Sequence, residues 1–149
     1  MAAGKYSVLA ENENISTAIT ILELTAPSTA PLELTRAWCD NVSSTTSAVA
    51  RIRLLRKTAT VTGTASPPSA RALDASATSG VTVKWKATAE GTNGDILISA
   101  GFNVLNGWLY LPVPTELIIV PPSGMIALLF QGTVPNINWT FGFAWRELG

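Results

Sequence analysis

The chain contains no histidine, a single cysteine and few charged residues, and each shortage excludes a class of function. Without imidazole, the commonest general base and metal ligand of enzymes is missing. Cys39 stands between Trp38 and Asp40, neither of which activates a thiol, so we expect a buried structural cysteine and no disulfide. Charged residues make up 13% of the chain, against about 25% in an average soluble domain. This deficit favours a protein whose surface is covered by other protein.

The charges that are present point to neither nucleic acid nor membrane as a partner. Ten basic and ten acidic residues cancel, and no block of like charge occurs. Nucleic acid and anionic membranes both require a concentrated basic patch. The longest apolar runs, residues 117–120 and 125–130, are far shorter than the roughly 20 residues that span a bilayer. The N-terminus lacks a signal-peptide run, so we expect synthesis in the cytoplasm.

Alternation of apolar and polar residues dominates the chain and predicts β-strands. Residues 81–89 alternate cleanly, and Trp139, Phe141, Phe143 and Trp145 share one face of a strand near the C-terminus. Turn signals, such as GTNG at residues 91–94, separate the segments. Further strands are predicted at residues 6–10, 19–24, 32–39, 49–57, 96–100, 108–111 and 125–131. The pattern predicts a single-domain, all-β fold, an antiparallel β-sandwich or jelly roll.

Two segments suggest how the domain is organised. Residues 1–16 are predicted to be an N-terminal arm or edge segment, and residues 17–149 the β-domain. A long loop at residues 58–80 is rich in Ala, Ser and Thr, and either is a floppy surface loop or packs on a neighbouring subunit. Residues 19–24 are apolar on both faces of their strand, so together with this loop they favour contact with other protein.

Motifs for catalysis are absent from the sequence. There is no phosphate-binding glycine loop, dinucleotide fingerprint or nucleophile elbow. Acidic residues are scattered, and Glu11 and Glu13 form the only close pair. We therefore expect no enzyme, no cofactor and no metal site. Trp38 and Trp108, near strand ends, could be exposed and bind a sugar, but neither is accompanied by the cluster of Asp, Asn and Gln that would bind sugar hydroxyls.

Four stretches of packing and turn residues carry a resemblance: RAWCDNVSSTTS (36–47), TASPP (64–68), GFNVLNGWLYLPVPTE (101–116) and VPPSGMIAL (120–128). They resemble small virion proteins of tailed bacteriophages, in particular jelly-roll capsid decoration (cement) proteins. The resemblance covers most of the chain from about residue 15 onward and carries no catalytic residues. It implies a homotrimer on the outside of the capsid, made in the host cytoplasm, that binds the lattice of the major capsid protein and stabilises the shell.

Candidate functional residues follow from the strand pattern and the loops. For core or subunit packing they are Trp85, Trp139, Phe141, Phe143 and Trp145. For partner contact they are Glu11, Glu13, Pro67, Pro68 and Leu73, with Leu73 as the apolar anchor of the loop. The alternative function is a trimeric receptor- or carbohydrate-binding head of a virion or surface fibre, which would share the same fold.

Overall fold

The computed structural model of the chain describes residues 4–74 and 78–149. Within them lie eleven strands and one turn of 3-10 helix, Pro114–Glu116. The strands are β1 (Lys5–Ile15), β2 (Thr20–Thr25), β3 (Leu32–Asn41), β4 (Val49–Ala59), β5 (Arg71–Ala72), β6 (Thr82–Trp85), β7 (Thr92–Asn103), β8 (Trp108–Tyr110), β9 (Ile118–Val120), β10 (Met125–Gln131) and β11 (Ile137–Glu147).

The strands form two antiparallel sheets packed face to face. Sheet A has the order β5-β1-β11-β3-β8, with β9 also pairing with β3, and sheet B has the order β6-β2-β10-β4-β7. Without the short strands β5, β6 and β9, four strands remain in each sheet, and the chain crosses between sheets at every connection except β4 to β7. This is the jelly-roll arrangement, so the predicted fold class is confirmed.

The centre of the sandwich is built by the aromatic face of β11. Trp139, Phe141, Phe143 and Trp145 are all between 0% and 1% exposed. They pack against the apolar face of β10, where Phe130 lies 4.9 Å from the Trp139 ring centroid. These four aromatic residues therefore belong to the core of a single chain, the first of their two predicted roles.

The N-terminal segment is a paired strand. β1 runs antiparallel to β11 from Lys5 opposite Arg146 to Ile15 opposite Ile137, and it buries Tyr6 and Val8. The polar stretch at residues 11–14 follows a bulge, with Asn12 at φ 55°. This bulge interrupts the alternation that marks residues 6–10 as a strand. Residues 5–15 are thus a paired strand of sheet A and not a free arm. β5 pairs with the other side of β1 only at Tyr6 and Ser7, so the remainder of β1 is an edge of the sheet within the described residues. Residues 1–3 lie outside the described residues.

The predicted loop at residues 58–80 belongs to a longer insertion between β4 and β7, residues 60–91. Its first part lies over the outer face of β2, where Val61 is 1% exposed. The Thr64 amide donates to the Trp85 carbonyl (2.9 Å), and the Leu73 amide to that of Lys5 (2.7 Å). Residues 19–24 are indeed buried on both faces, but their second cover is this insertion and not another protein. Residues 75–77 of the loop lie outside the described residues.

Three smaller differences remain, two with a local backbone cause and one that comes from strand pairing. β6 stops at Trp85, because Lys86 takes φ 43°, outside the strand region. The predicted turn at residues 91–94 is confined to Gly91 (φ 67°), where a Cβ would lie 2.4 Å from the Ala59 carbonyl oxygen, and β7 begins at Thr92. β9, which the sequence pattern did not predict, pairs with β3 at Leu32–Leu34.

Candidate functional site

Buried carboxylates fasten the insertion to the sandwich. The Glu23 carboxylate, fully buried on β2, accepts hydrogen bonds from the Thr60 hydroxyl (2.5 Å) and the Val61 amide (3.2 Å). Further along the insertion, Glu147 accepts from the Ser79 hydroxyl (2.5 Å) and the Gly80 amide (3.0 Å). Both acids therefore serve the fold, although the sequence shows them only as isolated charges.

A third carboxylate, Glu90, fastens the end of the insertion in the same way. It accepts from the Thr20 amide (2.9 Å) and hydroxyl (2.6 Å), and lies 3.5 Å from the buried ammonium of Lys57. That ammonium also donates to the side chain of Asn93 (2.6 Å). An ammonium with no exposed area needs such partners, because an unpaired buried charge is costly.

The insertion covers only one side of the sandwich. Its strands β5 and β6 extend the two sheets beyond β1 and β2. On the opposite side, β7 ends sheet B and β8 and β9 end sheet A. Only residues 104–107 connect β7 with β8, so these edges lie side by side. Within the described residues, no strand pairs with the outer edge of β7.

The uncapped side is apolar, and we call it the apolar edge. The described residues include twelve exposed large hydrophobic side chains, of which seven fall within residues 96–119. They are Ile96, Leu97, Leu105, Leu109, Leu111, Val113 and Ile119. No lysine or arginine occurs between Lys86 and Arg146, and Asp95 and Glu116 are the only charges in residues 92–120. Such patches on soluble proteins mark interaction surfaces.

β7 adds an open strand edge to this apolar side. It is twelve residues long, whereas β5, β6, β8 and β9 have two to four residues each. It contains no proline, and Asp95 is its only charge. In natural sheets, charges, prolines or short strands usually protect such an edge, because its free backbone groups would otherwise pair with another chain.

A groove of about 540 Å³ collects several residues that the sequence singled out. Glu11 and Glu13 on β1, Pro68 in the insertion and Trp85 on β6 all line it. Lys86 lies 4.0 Å from the centroid of the Trp85 ring and 2.9 Å from a Glu13 carboxylate oxygen. The Trp85 indole also donates to the carbonyls of Thr64 and Ala65, so this tryptophan helps to hold the insertion.

The other two predicted contact residues lie in different places. Pro67 is exposed between Ser66 and Pro68, which both line this groove. Leu73 is 58% exposed and lines a second cavity of about 280 Å³ with Trp145 and Arg146. Four of the five residues predicted for partner contact are therefore in or beside the first groove, and Leu73 lines the second cavity.

A second groove, of about 570 Å³, crosses the outer face of sheet A, and we call it the sheet A groove. It is lined by Leu9, Arg36, Trp38, Asp40, Asn106, Trp108 and Leu109. In the strand register, Leu9 lies opposite Gly142, Gly142 opposite Trp38, and Trp38 opposite Leu109. One row across four strands thus supplies much of its floor.

Gly142 creates the space for the Trp38 indole. A Cβ at position 142 would lie 2.4 Å from Cζ2 of Trp38 and 2.4 Å from the Val8 carbonyl oxygen. The Arg36 guanidinium lies 4.6 Å from the Trp38 ring centroid, a cation–π stack. Sequence analysis missed this arrangement. A lone glycine within an aromatic strand was the available signal, since it often marks a close approach of another group.

Asp40 and Asn106 bring polar groups to the same groove. Gly107 takes φ 72°, and a Cβ there would lie 2.0 Å from a carboxylate oxygen of Asp40, so glycine lets the β7–β8 connection approach this acid. Burial raises the pKa of the Asp40 carboxyl above its usual value. The two tryptophans therefore do have an Asp and an Asn beside them, contrary to the sequence analysis, because residues 40 and 106 meet only in the fold.

Other kinds of site find no support in the described residues. No group of three or more Asp, Glu or Cys side chains there is placed to hold a metal ion. No helix among them is long and apolar enough to cross a membrane. No family model matches the chain, and no curated protein or solved structure matches it either. The resemblance to capsid decoration proteins stays a prediction that rests on sequence stretches.

Proposed function

We propose that the chain is a structural virion protein that forms a homotrimer, binds the outside of a bacteriophage capsid and stabilises the shell. The observation that carries this proposal is the apolar edge, which holds seven of the twelve exposed large hydrophobic side chains of the described residues, in a stretch without a basic residue. The location of the protein in the virion is proposed from the sequence resemblance.

The mechanism is burial of this edge against protein. Leu109 and Leu111 are 59% and 67% exposed, so a partner that covered them would remove much apolar surface from water. Each Å² buried contributes roughly 25 cal/mol in gross terms, less the cost of ordering the partners. A shell presents many identical sites, so weak single contacts add up when a trimer binds several of them at once.

The first test measures the mass of the purified chain by light scattering across a concentration series. We expect a trimer, with three times the 15.7 kDa mass of one chain. Leu111→Asp places a charge on the apolar edge and should shift the mass toward the monomer. Val42→Asp is the matched control, because Val42 is also exposed but lies outside that edge. A chain that stays monomeric at about 100 µM, or a Leu111→Asp variant that stays trimeric, would contradict the trimer.

The second test concerns the shell. The chain is mixed with empty shells assembled from the major capsid protein of the same genome, and the shells are sedimented. We expect co-sedimentation and a higher melting temperature of the shell, since a ligand that binds only the assembled state stabilises it. A chain that stays in the supernatant with unchanged shell stability would refute the decoration role, whatever its oligomeric state.

A further inference from the structure

The sheet A groove has the composition of a small-molecule site, and it shares only Leu109 with the apolar edge that carries the proposed shell role. Its volume of about 570 Å³ falls in the range of ligand pockets, roughly 300–1,000 Å³. Three separate parts of the chain line it, namely β1, β3 and the segment from Asn106 to Leu109. Its lining combines two indoles and two leucines with one carboxylate, one amide and one guanidinium.

The polar side chains of the groove, Arg36, Asp40 and Asn106, are exposed, so their hydrogen-bonding groups are open to a ligand. None of them takes part in the ion pairs Lys57–Glu90, Lys86–Glu13 and Arg146–Glu33. Neither the Asp40 carboxylate nor the Asn106 amide has a hydrogen-bond or ion-pair partner in the described part of the chain. Arg36 has its cation–π contact with Trp38, and no described residue accepts a hydrogen bond from the N–H groups of its guanidinium. A carboxylate accepts, a guanidinium donates and an amide does both.

We infer that the sheet A groove binds an uncharged saccharide, one or two sugar rings in length. A sugar ring is apolar on the face that carries its axial C–H groups, and this face packs against indole and leucine side chains. Its hydroxyl groups both donate and accept, which matches the paired carboxylate, amide and guanidinium. The one acid and the one base of the groove cancel, which favours a neutral sugar over sialic or uronic acids.

The glycines of the groove support a built site. Gly142 accommodates the indole of Trp38 within the sheet, and Gly107 accommodates the carboxylate of Asp40 at the turn. At both positions a larger side chain would collide with Trp38 or Asp40, so the groove has its present shape only because these residues are glycines.

The first experiment screens the full-length chain on an array of neutral and anionic saccharides. Neutral mono- and disaccharides are then titrated to about 5 mM while tryptophan fluorescence is followed, which detects dissociation constants of about 1 mM. We expect binding of neutral sugars with a change in fluorescence. Absence of binding across the neutral panel at that concentration would overturn the inference, as would a preference for anionic sugars.

Variants then test the place of binding. Asp40→Asn and Asn106→Ala should each weaken the affinity roughly tenfold, because each removes hydrogen bonds to the sugar. Asp95→Asn is the matched control, since Asp95 is an exposed acid without an ion pair that lies outside the groove. It should leave the affinity within about twofold. If Asp40→Asn and Asp95→Asn changed the affinity for the sugar equally, the sugar would not bind in this groove. Light scattering of the same variants shows whether the trimer is intact. Loss of the trimer would contradict the proposed function but not the saccharide inference, which does not require a trimer.

Discussion

Replacement of Glu23 by alanine should destabilise the domain strongly, although glutamate is seldom a core residue. Its fully buried carboxylate receives hydrogen bonds from the Thr60 hydroxyl and from the Val61 amide, and Val61 is itself buried. Alanine would leave that amide without an acceptor, which costs about 1–3 kcal/mol. Loss of a hydroxyl bond to a charged group costs about as much again. The sum is about 2–6 kcal/mol.

The expected loss is large enough to measure by heat denaturation. For a domain of this size, 1 kcal/mol corresponds to roughly 2–4 °C in melting temperature, so Glu23→Ala should melt about 10 °C lower. Glu23→Gln retains one acceptor oxygen and should lose less. Glu116→Ala is the control, because Glu116 is exposed, and such changes usually stay within about 0.5 kcal/mol.

Hydrogen exchange of the Val61 amide adds a local measurement to the global one. In the wild type, exchange of this amide should require opening of the insertion, whereas in Glu23→Ala it should become much faster than that of β11 amides. A small change in melting temperature would refute this reasoning. If Glu23→Ala melted within 2 °C of Glu116→Ala, the hydrogen bonds of the Glu23 carboxylate would only offset the free energy lost when this group is desolvated. This balance is known for some buried charges.

Two further predictions concern buried titratable groups. Burial raises the pKa of the Cys39 thiol well above its usual value. A disulfide reagent at pH 8 should therefore label Cys39 only as fast as the domain opens. Rapid labelling of the native chain would contradict this, because it would place the thiol at the surface. Burial, followed by the charges of Glu147 and Asp74, raises the pKa of the Tyr6 phenol. An unfolded phenol releases its proton near pH 10, before the folded one does, so the free energy of unfolding should fall as the pH rises through about 10. Tyr6→Phe should flatten this slope, and an unchanged slope would assign it to other groups.

The jelly roll could be predicted because its strands carry a strong local signal. The four aromatic residues of β11 alternate with small or polar ones, and only one face of a strand can bury such a series. β5 and β9 carry no such signal. They have two and three residues, and they become strands because β1 and β3 offer them a free edge. Their pairing is a tertiary effect that local alternation does not contain.

The candidate sites were harder to predict because they depend on residues far apart in the chain. Asp40 and Asn106 meet because the β7–β8 connection passes over the end of β3, and 66 positions of sequence separate them. The carboxylates of Glu23 and Glu147 are similarly uninformative in sequence, since their partners lie in the insertion. Composition did indicate a surface poor in charge, but only the fold distinguishes the side that the insertion covers from the side that stays open.

The geometry of a trimer limits how the apolar edge can be used. In a three-fold ring each chain must contact its neighbours through two different surfaces, whereas contact of one surface with its own copy gives a dimer. If two copies of β7 paired edge to edge, the mass would be twice that of one chain, with β7 buried at a two-fold axis. A trimer instead requires the apolar edge of one chain to meet another face of the next. The side capped by β5 and β6 is one such face, and it carries the Glu13–Lys86 ion pair and the groove beside it. Lys86→Glu should then weaken a trimer but leave an edge-to-edge dimer intact, so this variant, measured by light scattering, distinguishes the two assemblies.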